Sequence, residues 1–79
     1  MFKQRIGEDP HKNNEASVGA NGCPDIWELN DGNFAVIGIR KTSELSQILP
    51  ETANCGYDEE IVVVPRKLLV NAKNFIPNE

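Results

Sequence analysis

The chain has 79 residues and a formal net charge of −4. A chain this short buries only about 60 % of the surface its unfolded form exposes, which leaves little room for a large enclosed active site. No apolar run approaches the ~20 residues that span a bilayer, and a sequence pI near 4.9 does not suit general nucleic-acid binding, which needs a basic face against phosphates.

Residues 1–22 hold six hydrophobic residues, and the acidic Glu8, Asp9 and Glu15 cancel the basic Lys3, Arg5 and Lys12. Asp9 to Glu15 follows neither a helical nor a strand period, so the segment buries too little to offset its ordering entropy. It reads as a flexible N-terminal tail, with Phe2 and Ile6 available to dock. The basic residues near Met1 are followed by no apolar h-region, so no secretory signal is expected and a cytoplasmic location is.

Residues 23–79 carry the remaining hydrophobic residues and read as a single small α/β domain. Asp25–Leu29 and Phe34–Arg40 flank Asn30-Asp31-Gly32-Asn33, a hairpin signal in which Asp31-Gly32 would form a type I′ turn. That register sets Leu29 against Phe34, Trp27 against Val36 and Ile26 against Ile37. One face then carries Trp27, Leu29, Phe34 and Val36, and the other Ile26, Ala35, Ile37 and Ile39.

Thr42 or Ser43 can cap a short helix, with Glu44 in its first turn and Leu45, Ile48 and Leu49 on one side. Pro50 ends it. After a polar loop, Ile61–Val64 reads as a β-branched strand buried on both sides. Pro65 suits the start of a second helix that runs to about Asn74.

Twenty residues, including a helix, separate the second strand from the third. That is the length of a crossover, so those two strands are expected to be parallel, with strand order 1-2-3 or 2-1-3 left open. The expected fold is α+β, a small two-layer β-β-α-β-α unit with a three-stranded mixed sheet and two short helices.

Parallel strands would bring Arg40, Lys41, Arg66 and Lys67 to one edge, beside two helix N-termini. Such an edge favours a small anion or an acidic segment. Neither turn has the glycines of a phosphate loop, and Asp25 could neutralise Arg40 or Lys41. The soft metal ligands are His11, Cys23 and Cys55, without the spacing of a metal site, so no metal and no cofactor are expected. Without a secretion signal, Cys23 and Cys55 are expected as thiols rather than as a disulfide. No nucleophile–base arrangement or nucleotide fingerprint appears, and an enzyme is not expected.

Both hairpin faces are apolar, and two short helices can hardly cover both. Either the helices and tail complete the cover, or an uncovered face forms a partner or homodimer interface with Trp27, Leu29, Phe34 and Val36.

The segments Cys23-Pro24-Asp25-Ile26-Trp27, Gly32-Asn33-Phe34-Ala35-Val36-Ile37-Gly38 and Val62-Val63-Val64-Pro65 resemble a group of short uncharacterised bacterial proteins. These share a Cys-Pro-x-x-aromatic start, a Gly-x-aromatic-x-Val-x-Gly strand and a hydrophobic strand ending in Pro. The resemblance covers most of residues 23–69. It implies a bacterial cytosolic protein and transfers no activity and no site residue.

The function expected from these residues is a non-enzymatic protein-interaction module, regulatory or adaptor in kind, that pairs with a protein partner or with itself. The alternatives are a domain for a small anionic ligand at the basic edge and an antitoxin-like or inhibitor protein.

Overall fold

The computed structural model describes residues 1–8 and 23–78. The fold is a small α+β arrangement of two antiparallel sheets and two short helices. β1 (Phe2–Arg5), β2 (Asp25–Leu29) and β3 (Phe34–Ile37) form a three-stranded sheet in the order β1-β2-β3. β4 (Ile39–Arg40) pairs with β5 (Val62–Val63) in a separate two-stranded ladder. Between them run α1 (Thr42–Leu45) and a 3₁₀ turn (Ser46–Ile48), and α2 (Arg66–Ala72) follows β5.

Phe2–Arg5, which composition places in a flexible tail, are instead a strand antiparallel to β2. The Ile6 amide donates to the Ile26 carbonyl at 2.8 Å. Ile6 is buried with Ile26 and Ala72, and half-buried Leu68 packs against them. Burial of Ile6 is the gain that offsets ordering this segment. The rest of the expected tail, residues 9–22, lies outside the described residues.

The hairpin is present, but its register differs by one residue from the expected one. Glu28 faces Phe34, Trp27 faces Ala35, Ile26 faces Val36 and Asp25 faces Ile37. The loop has three residues, Asn30, Asp31 and Gly32. The Leu29 amide donates to the Asn33 carbonyl (2.8 Å), and the Gly32 amide to the Leu29 carbonyl (3.0 Å). A type I′ turn needs positive φ at both Asp31 and Gly32, yet Gly32 (φ 92°) is the one positive-φ glycine of this loop. A three-residue loop asks that of the glycine alone, and the Asp31 carboxylate braces it by accepting from the Asn33 amide at 2.9 Å.

A one-residue slip moves each side chain of one strand to the opposite face. Opposed residues share a face, so Gln4, Ile6, Ile26, Glu28, Phe34 and Val36 lie on one side. Phe2, Arg5, Asp25, Trp27, Leu29, Ala35 and Ile37 lie on the other. The first side receives α2 over Ile6 and Ile26.

The second expected strand is interrupted at Gly38. There the chain leaves β2 and takes up β5, with Ile39 opposite Val63 and Arg40 opposite Val62. β4 and β5 are antiparallel, which overturns the parallel crossover and with it the mixed sheet. Residues 41–60 make α1, the 3₁₀ turn and a loop, and then double back instead of crossing the sheet. Thr42 is the latch for that return. It is the first residue of α1 rather than its cap, and Lys41 is the N-cap. The Thr42 hydroxyl accepts from the Ile61 amide (2.8 Å) and donates to the Glu60 carboxylate. The Lys41 amide donates to the Ile61 carbonyl at 2.8 Å. In this two-stranded ladder Val62 and Val63 are exposed, contrary to the burial their β-branched run suggests.

Candidate functional site

Antiparallel pairing takes the expected basic edge apart. Arg40 lies at the end of β4, opposite the start of β5, whereas Arg66 and Lys67 follow the far end of β5. The two pairs of cations therefore belong to opposite ends of the ladder. Arg40 approaches Glu60 (3.7 Å) and Lys41 approaches Glu44 (3.5 Å). Both pairs are solvent-exposed and contribute little to stability. Arg66 and Lys67 lie in the first turn of α2 and are exposed.

The most ordered polar cluster is on the side of the sheet away from α2, around buried Asp25. Its carboxylate accepts from Arg5 Nε at 3.1 and 3.2 Å, from Trp27 Nε1 at 2.9 Å and from the Ile26 amide at 3.0 Å. The Arg5 guanidinium lies 4.5 Å from the Trp27 ring centre, and Phe2 meets that ring edge-on at 5.7 Å. Asp25 is thus neutralised by Arg5 of the neighbouring strand, not by Arg40 or Lys41. On the opposite side Gln4 Nε2 donates to buried Glu28 at 2.7 Å. Each Asp25 carboxylate oxygen accepts two hydrogen bonds from the chain itself, which suits a brace between β1 and β2 better than a ligand site.

Trp27, Leu29, Phe34 and Val36 do not form one patch. Trp27 and Leu29 are half-buried on the Asp25 side, and Phe34 and Val36 are 42 % and 44 % exposed on the α2 side. What unites the exposed apolar residues is an edge. β3 is one of the two edge strands of the sheet among the described residues, and Phe34, Val36 and Ile37 are all exposed along it, with Ile39 following in β4. An apolar depression of about 240 Å³ opens beside Ile37, Gly38 and Ile39, between Cys23-Pro24 and Val63. Cys23 is the one ionisable side chain among its described lining residues. Leu69, Val70, Phe75 and Ile76 add a second exposed apolar group on and after α2.

Cys23 and Cys55 are not joined in a disulfide, and Cys55 donates to the Glu59 carbonyl at 3.5 Å. Among the described residues no group of three or more His, Cys, Asp or Glu is placed to hold a metal; His11 lies outside them. No described helix is long and apolar enough to cross a membrane.

The edge itself escapes a search for side-chain patterns. Its signal is the six-residue run Phe34–Ile39, which has no charge and no proline. No family model, curated protein or solved structure matches this chain.

Proposed function

We propose that this chain is a non-enzymatic protein-interaction module, regulatory or adaptor in kind, that associates through the apolar border of its three-stranded sheet. The observation that carries the reading is the exposure of Phe34, Val36 and Ile37 together on an outermost strand. Large apolar side chains left exposed along one strand edge, on both of its faces, are a mark of association sites on small proteins. A partner polypeptide satisfies both parts of such a border, the apolar side chains and the unpaired backbone. The anion-binding alternative loses its support once the four cations stand at opposite ends of a ladder.

The test combines light scattering across a concentration series with binding of a hydrophobic dye. The expected result is self-association or strong dye binding, reduced when Phe34 and Val36 are both changed to Thr. A chain that is monomeric throughout and silent to the dye would overturn the reading.

A further inference from the structure

Resting on that reading, we infer that the partner is a second copy of this chain. The two copies join edge to edge through antiparallel pairing of β3 with β3, about a two-fold axis at Val36.

The ladder decides which backbone groups are available. Because Leu29 bonds to Asn33, the odd-numbered residues Asn33, Ala35 and Ile37 turn their amides and carbonyls toward β2. Phe34 and Val36 turn theirs outward, where no further strand lies among the described residues. In β4 the alternation is the same. Lys41 bonds to Ile61, and Ile39 faces Val63 in the same phase, so the even-numbered Gly38 and Arg40 are not engaged by β5. Edge strands are normally guarded by a charge, a proline or a bulge. The run from Gly32 to Ile39 has neither charge nor proline, and β3 pairs with β2 without a break in register.

Charge complementarity selects a second copy as the occupant. The segment carries Asp31 at its start and Arg40-Lys41 at its end. Antiparallel pairing about Val36 brings the hairpin turn of each copy, with Asp31, toward Arg40 and Lys41 of the other, whose present partners Glu60 and Glu44 are solvent-exposed and weakly held. A parallel alignment in register would set acid against acid and base against base, which is unfavourable. The same axis places Phe34 opposite Gly38 of the second copy, an aromatic over a glycine, a cross-strand pairing that shields the bare backbone. Outward-facing residues must meet outward-facing residues. Of the axes that satisfy this, the one at Val36 brings the turn carrying Asp31 level with Lys41. The product is a six-stranded antiparallel sheet with both copies of Phe34 near its centre, an isologous and closed assembly.

Sedimentation equilibrium on the full chain tests the pairing, with three variants. Val36→Pro removes an amide that points away from β2, so the monomer's own ladder is preserved; it is expected to abolish the dimer while circular dichroism stays unchanged. Lys41→Glu touches no core residue and sets like charges at both ends of the seam; it is expected to weaken the dimer roughly tenfold, less so in high salt. Ile48→Glu, at a residue 73 % exposed and away from the seam, is expected to leave the dimer intact. A dimer that survives both Val36→Pro and Lys41→Glu overturns the proposal, as does one lost with Ile48→Glu alone. A chain that is monomeric up to its solubility limit yet binds the dye overturns the self-pairing and spares the interaction-module reading; one that also ignores the dye overturns both.

Discussion

At position 38 a Cβ would stand 2.8 Å from the Val63 carbonyl oxygen and 2.7 Å from Val64 Cγ1. The oxygen belongs to the backbone of the partner strand and cannot move aside as a flexible side chain would, so the crossing from β2 to β5 depends on glycine here. Gly38→Ala is expected to destabilise the fold by about 1–3 kcal/mol, the usual range for overpacking, read as a lowered urea midpoint. An unchanged midpoint would mean that β4 and β5 can separate without loss. A glycine within a strand-like run is visible in the sequence, but the atom it must avoid comes from Val63, far along the chain. Asp25 is similar. Its alternating position in β2 is legible, whereas its neutralisation by Arg5 is not, because Arg5 lies in a segment whose composition gives no sign of pairing.

β1 shows how one side chain can bring an element into a fold. Phe2, Lys3 and Gln4 are exposed, and the segment is anchored where Ile6 meets Ile26 and Ala72. Ile6→Ala is expected to cost about 2–4 kcal/mol, as for other buried large-to-small changes, and to speed hydrogen exchange at the amides joining β1 to β2. Exchange unaffected in β1 would show that its backbone pairing holds the strand without Ile6. The hairpin of β2 and β3 teaches a different lesson. Its existence is plain from Asp31-Gly32 between two apolar runs, but its register turns on whether the loop takes two residues or three. The third loop residue moved Trp27 and Leu29 to the side opposite Phe34 and Val36. The second helix also starts where Pro65 indicates, with Pro65 as its N-cap and Arg66 as its first residue.

Taken as a whole, the described fold rests on a small core, Ile6, Ile26 and Ala72 with Leu68 against them, while many large apolar side chains stay in contact with water. Stability is therefore lodged in residues other than the exposed apolar ones. Leu69→Ser, at a residue 55 % exposed, is expected to change unfolding free energy by no more than about 0.5 kcal/mol, measured by thermal melting in dilute solution. A large loss would mean that α2 is held by its outer side as well as by Ala72.

Local residue chemistry, present in the sequence alone, determined the elements. Turn formers at Asp31-Gly32, the β-branched run at 61–64, Pro50 and Pro65 as helix boundaries, and the excess of apolar residues over what two short helices can cover all act within a few residues of one another. Tertiary structure decided the directions and the partners. Whether residues 41–60 cross the sheet or double back depends on the bonds of Thr42 and Lys41 to Ile61, which lie some twenty residues apart. A loop of that length closes either way at nearly the same entropic cost. With the return of β5 against β4 the four cations parted, and the outer edge of β3 was left without a neighbouring strand among the described residues.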